Sequence, residues 1–195
     1  MNSSGRMFVQ PIADEAYPFS EGCARVVVDG LVGYIDLNGN WIIAPRYQDG
    51  GNCSCGIIPV MLAGAYSYIN KDTVQSISRF RYDVAKDFDP EYQVAIVSRG
   101  GKWGVINTSG TEIVPVSYDV VHIMPDGYIY AEQGTQYDVY DIAGNRSFSI
   151  NDAQIHYEVG KPLYNKGYIT VGSSAELVKY DKHGNMIYNY QYLTM

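Results

Sequence analysis

The chain has 195 residues, 46% hydrophobic and 18% charged, with a formal net charge of -7 at pH 7. That length suffices for a sizeable core. No apolar run approaches the ~20 residues of a membrane-spanning helix, and the acidic balance, with no basic run, excludes nucleic acid as the expected partner because phosphate binding is driven by Lys and Arg.

Tyrosine (19 residues) and glycine (20) dominate the remainder. This is strand-and-turn composition, since aromatic rings suit pleated surfaces and Gly supplies the backbone angles of tight turns. The N-terminus, MNSSGRMFVQ, lacks the apolar centre of a secretory leader, so the expectation is a cytoplasmic protein unless a leader has been removed. Cys23, Cys53 and Cys55 are too few for a disulfide framework and fit a reducing compartment as free thiols.

In chain order, residues 1–21 read as a partial repeat, with Phe8-Val9 and Asp14 standing where Ile113-Val114 and Asp119 stand later. The first full unit, 22–55, opens with Cys-Ala-Arg-Val-Val-Val at 23 to 28, Asp29-Gly30, and Leu-Val-Gly-Tyr-Ile-Asp at 31 to 36. Two strand-like runs joined by Asp-Gly predict a hairpin. The turn Asp36-Leu-Asn-Gly-Asn40 follows, and then a third strand, Trp-Ile-Ile-Ala-Pro-Arg-Tyr at 41 to 47, whose Pro45 places it at an edge or bulge.

The same unit recurs as 56–92, 93–126, 127–166 and 167–195. Gly22, Gly56, Gln93, Gly127 and Gly167 form one column, and Asp36, Asn70, Asn107, Asp141 and Asp181 another, 14 residues on in every copy. The offsets of 34, 37, 34 and 40 residues vary only in the second half of each unit, where surface connections tolerate insertion. Units two, four and five depart from the pattern: Thr73 replaces the turn Gly, while Asp138 and Val178 stand where units one and three have Gly33 and Gly104. A calcium loop is the competing reading of the second turn. It fails on ligand number, with one carboxylate per copy and no bidentate Glu downstream.

Gly-Lys-Trp-Gly-Val-Ile-Asn at 101 to 107, followed by Gly110, Ile113-Val114-Pro115 and Tyr118-Asp119, resembles the WG-repeat family of bacterial β-rich repeat proteins. Phe19-Ser-Glu-Gly-Cys-Ala-Arg-Val ahead of unit one matches the family's lead-in. The resemblance implies tandem β repeats that act as interaction modules, and it carries no catalytic residue.

The expected fold is all-β: tandem three-stranded antiparallel meanders stacked as an open twisted array, with a five-bladed β-propeller as the alternative. His122, His156 and His183 sit at three different repeat positions, and neither a nucleophile–base pairing, a phosphate-cradling glycine loop nor a metal-ligand set emerges. The expectation is therefore a non-enzymatic module without a cofactor, recognising a protein or peptide, with a cell-wall glycan as the alternative ligand. Tyr188, Tyr190 and Tyr192 share one face of a strand, and Tyr128 with Tyr130 and Tyr66 with Tyr68 form similar pairs. These seven rings are the candidate recognition residues, with packing between repeats as the competing role. Connections 48–56, 83–92 and 120–127 are the expected determinants of specificity.

Overall fold

A computed structural model describes residues 13–150, 157–158, 161–162, 164–165, 168–172, 176–181 and 183–191, with side chains for 13–150, 179–181 and 183–187. Every regular element among the described residues is a β-strand. By internal contacts the chain forms two compact units, residues 1–101 with 105–112 and residues 102–104 with 113–195.

The strands fall into small open antiparallel sheets. The first comprises β1 (Glu15–Ala16), β2 (Cys23–Val28), β3 (Leu31–Asp36) and β4 (Trp41–Tyr47), in that order. The second comprises β5 (Asp49–Gly50), β6 (Ile57–Leu62) and β7 (Ala65–Asn70). A third is built from β8 (Val84–Ala85), β9 (Val94–Arg99), β10 (Lys102–Asn107) and β11 (Glu112–Tyr118). A fourth follows as β12 (Val120–Ile123), β13 (Ile129–Gln133), β14 (Gln136–Tyr140) and β15 (Arg146–Ile150). A short hairpin, β16 (Tyr157–Glu158) with β17 (Lys161–Pro162), precedes the last sheet, β18 (Tyr164–Asn165), β19 (Tyr168–Gly172), β20 (Glu176–Asp181) and β21 (Met186–Gln191).

Each four-stranded sheet therefore holds the expected meander plus one short strand, and the second sheet holds a hairpin plus one short strand. The extra strand comes from the preceding connection: Asp49-Gly50 pairs with Met61-Val60, and Val84-Ala85 with Ser98-Val97. In the second sheet the third strand is reduced to isolated bridges, Tyr66 to Tyr82 and Ile69 to Ser76.

The hairpin turns carry the repeat's chemistry. At the second turn the Asp36 Oδ1 accepts the amides of Asn38 and Asn40, both at 2.8 Å, while Oδ2 accepts the Asn40 side chain at 3.1 Å. The same three bonds recur at Asp141 and Asp181. These contacts hold the Asp36 carboxyl below its ordinary range, the Asn40 amide bond first among the causes. In the second repeat the turn is one residue longer. The left-handed place belongs to Val74 (φ 57) and not to Thr73, with Val74 N–H bonding back to the Asn70 carbonyl at 2.8 Å.

Gly33 and Gly104 lie outside the left-handed region and are fixed instead by proximity. A Cβ on Gly33 would stand 2.8 Å from the Ile43 oxygen and from the Pro45 nitrogen. A Cβ on Gly104 would stand 2.6 Å from the Val114 oxygen. The third strand bulges against this slot, its register with β3 shifting on both sides of Tyr34, and Pro45, which has no amide to donate, fits the bulge.

In the first unit the core gathers Cys23, Val32, Tyr34, Ile43 and Tyr47 from the first sheet with Ile58, Val60 and Ile69 from the second and Cys53 from the connection between β5 and β6. Each fully buried aliphatic side chain here contributes about 1.5–3 kcal/mol. The second unit buries Met124, Tyr130, Tyr137 and Val139, packed by Tyr128, Phe148, Ile150 and Tyr180.

Candidate functional site

The buried tyrosines act as interlocks. Tyr34 and its counterpart one repeat on, Tyr68, are both 0% exposed. Tyr34 donates its hydroxyl to the Gly51 carbonyl at 2.9 Å, and Tyr68 donates to the Lys86 carbonyl at 2.7 Å. Each ring thus fills the core while its polar tip satisfies a carbonyl of the next connection, which is how a buried phenol avoids an unpaired donor. Gly50 belongs to this contact, since a Cβ there would meet the Tyr34 hydroxyl at 2.2 Å.

Of the seven candidate recognition tyrosines, Tyr68 and Tyr130 are therefore corrected: at 0% and 1% exposure they pack the interior and offer no face to a ligand. Tyr130 stacks on Tyr137 with ring centroids 5.8 Å apart. The alternation that pairs Tyr66 with Tyr68 and Tyr128 with Tyr130 holds, but the inward face is the one that carries the tighter contacts. Tyr128 is half-buried against the second unit's core. The side chains of Tyr188 and Tyr190 lie outside the described residues, as does Tyr192. Tyr66 is half-buried as well.

Around Tyr66 the first unit assembles a compact aromatic and charged face. Asp49, on the short strand β5, accepts a short hydrogen bond from the Tyr66 hydroxyl, and burial with this bond pushes the phenol up to about 12. Arg25, on β2, donates to the Gly50 carbonyl and stands 3.7 Å from the Asp49 carboxylate. Its guanidinium lies 3.6 Å from the centroid of the half-buried Tyr17 ring, and Tyr17 in turn donates to Glu15. Two half-buried rings are thus braced by two carboxylates, with the Arg25 guanidinium set against Tyr17 and Asp49. Tyr17, Glu15, Arg25 and Asp49 carried no sequence signal as a group. They come together only because β1 and β5 are drawn from connections.

A second polar group occupies the fourth sheet. Asp138, where units one and three have Gly33 and Gly104, is 1% exposed. It accepts the Tyr118 hydroxyl at 2.7 Å, the Gln136 amide at 3.0 Å and the Ser149 hydroxyl, with Arg146 at 3.8 Å. Burial alone would raise this carboxyl, but the bonds from Ser149, Gln136 and Tyr118 with the Arg146 charge hold it below its ordinary range. Tyr118 also meets the Tyr140 hydroxyl at 2.5 Å.

His122 lies on β12, a strand of the connection. Burial holds it below its ordinary value, and its Nε2 is enclosed without a hydrogen-bond partner. Among the described residues no group of three or more His, Cys, Asp or Glu is placed to hold a metal ion, and no helix is long and apolar enough to cross a membrane.

Glycine-slotted antiparallel meanders repeated along one chain define an all-β tandem-repeat protein. The profile described as WG containing repeat matches residues 1–31, 33–65, 66–103 and 103–137, and the chain belongs to that family. The chain matches no curated protein in sequence. Among solved structures it is similar to the Kluyveromyces lactis Hsv2 with complete loop 6CD at 12% identity and a TM-score of 0.41, covering 90% of this chain and 62% of that one. It is similar to a eukaryotic initiation factor at 11% identity and a TM-score of 0.45, covering 91% of this chain and 65% of that one. For apo AztD from Citrobacter koseri the figures are 11% and 0.44, with 91% and 59% covered. The chain spans less than two thirds of the length of each of these.

Proposed function

We propose that this chain is a non-enzymatic binding module and that the face built by Tyr17, Arg25, Asp49 and Tyr66 takes a protein or peptide partner. The carrying observation is that Tyr17 and Tyr66 are only half-buried yet held by bonds to Glu15 and Asp49, so they offer rigid contact area with little entropy left to lose. The net charge of -7 and the half-exposed Asp49 favour a segment carrying basic side chains.

Tyrosines beside carboxylates also suit the polar rim and stacking faces of a sugar, and a glycan is the second reading. The test is affinity capture from the source cell's lysate across a salt series, using the chain and its Tyr17→Ser and Tyr66→Ser variants, followed by calorimetry with the purified partner. Binding that weakens about tenfold or more in both variants supports the protein reading, the loss of one interface anchor being worth about 2 kcal/mol. Equal binding by wild type and variants removes this face from the function. Glycan binding lost in the same variants transfers the face to sugar.

A further inference from the structure

The second repeat departs from the others where its third strand should run. The chain there meets β7 at two bridges, Ile69 with Ser76 and Tyr66 with Tyr82, so residues 67 and 68 on β7 stand opposite residues 77–81. The surplus cannot lie in the sheet and is forced outward. Its base is pinned. The Ile77 amide donates to the Tyr68 carbonyl at 2.9 Å, the Tyr68 amide donates to the Ser78 hydroxyl at 3.1 Å, and the third repeat's turn lies so close that a Cβ on Gly110 would collide with the Ile77 carbonyl. What projects is Arg79-Phe80-Arg81, all three exposed. The Arg99 guanidinium lies 4.6 Å from the Phe80 ring centroid and is itself fixed by the Glu112 carboxylate at 2.8 and 3.4 Å, while Arg79 stands 5.7 Å from the same centroid.

The three guanidiniums differ in how their charge is met. Glu112 balances Arg99. Arg81 donates to the carbonyls of Leu62 and Ala65, which carry no charge, and Arg79 has no hydrogen-bond or ion-pair partner among the described residues. Two uncompensated cations thus flank a ring that is 42% exposed, and Leu62 beside Arg81 is 48% exposed. We propose that this loop is a second docking site, taking an acidic segment of a partner protein that carries an apolar side chain among its carboxylates. Carboxylates match the guanidinium fork, and the apolar side chain covers Phe80 and Leu62. The charge preference is opposite to that of the Tyr17–Asp49–Tyr66 face, and the two sites share no residue. Nucleic acid would also pair with Arg and stack on Phe80, but a long polyanion must run along a chain of net charge -7, whereas a short segment meets only the local field.

The test is fluorescence anisotropy on the full chain with a short labelled peptide of alternating Glu and Leu, set beside its Gln–Leu and Lys–Leu counterparts. The Glu peptide should bind, the other two should not at the same concentrations, and raising the salt should weaken the complex. Arg79 supports no internal bond, so its variants keep the fold. Arg79→Ala should weaken binding about tenfold, Arg79→Glu should abolish it, and Arg79→Lys should recover part of the loss. Phe80→Ser should weaken it too, by removing the apolar half of the site. No binding of the Glu peptide, equal binding by wild type and Arg79→Glu, or a labelled single-stranded oligonucleotide bound in preference to the peptide would each overturn the proposal. None of the substituted residues belongs to the Tyr17–Tyr66 face, so the result stands whatever becomes of that reading.

Discussion

Replacing Gly104 by Ala tests the reason for the glycine in the Trp-Gly pair. The added Cβ would sit 2.6 Å from the Val114 oxygen, 2.8 Å from the Pro115 oxygen and 2.8 Å from the Val116 nitrogen. All three are backbone atoms of one strand, so no side-chain rotation relieves the contact; the strand must move. Overpacking costs about 1–3 kcal/mol, and a backbone obstacle puts this case near the top of that range. At about 2–4 °C per kcal/mol for a chain of this length, the thermal midpoint should fall by about 4–12 °C. Gly134→Ala in the same compact unit is the comparison: its φ is +59, but a Cβ there meets nothing within 4 Å, so it pays only the left-handed backbone term of about 1–2 kcal/mol. Calorimetry on both variants should show Gly104→Ala the more destabilised. If it unfolds at the wild-type temperature, or above Gly134→Ala, proximity is not what selects glycine at this position.

Tyr34→Phe and Tyr68→Phe each strand a connection carbonyl and should cost about 1–2 kcal/mol in urea denaturation, whereas Tyr66→Phe at the half-buried face should change stability by under about 0.5 kcal/mol. Asp138→Ala leaves the Tyr118, Gln136 and Ser149 donors without their acceptor, for a loss of about 3 kcal/mol at neutral pH. Because the folded carboxyl lies below 3.8, its contribution is complete above that value and disappears as the pH falls through the lower folded one. The gap between wild type and variant should accordingly close only in strong acid. His122 behaves in another window: its folded value lies below 6.5, so the unfolded chain binds the extra proton and stability declines as pH drops from about 6.5. His122→Phe should flatten that stretch of the pH profile and leave the acid limb intact.

Much of the fold was legible because its signals are local. The Asp-x-x-Gly-Asn turn satisfies itself within five residues, so its bonds are written where they act, whereas the Gly30 amide of the first turn reaches back to Asp14. The short strands β1, β5, β8 and β12 were not legible. Two to four residues have no alternation to read, and they pair only once the next hairpin exists. The left-handed Val74 was hidden for a related reason: its neighbour Thr73 occupies the glycine column, and only the longer turn shows that the strained residue is the next one. Sequence alternation identified the tyrosine pairs but could not say which face was inward, because Tyr suits both. The Tyr17–Arg25–Asp49 face needed residues from three separate segments and left no trace in any one of them.

The repeat solves one steric problem in two ways, and the choice tracks through neighbouring residues. Where the slot holds Gly33 or Gly104, the third strand comes within 3 Å of the missing Cβ and carries Pro45 or Pro115, which cannot donate to a ladder. Where the slot holds Asp138, the third strand is Arg-Ser-Phe-Ser-Ile, without proline, and Asp138 stands directly opposite Ser149, whose hydroxyl it accepts. Val178 likewise stands directly opposite Asn189 on a strand without proline. In these four sheets a glycine slot therefore goes with a proline in the third strand, and a side chain in the slot with a third strand that lacks proline. Asp138→Gly alone should not recreate the glycine-type packing: it removes the acceptor of Ser149 and Tyr118 without supplying the proline-bearing strand, and its stability should fall below that of Asp138→Ala by the backbone cost of glycine in a strand, about 0.5–1 kcal/mol. A glycine variant more stable than the alanine one would mean that the third strand can take up the glycine-type packing without its proline, and that the slot residue alone sets the geometry.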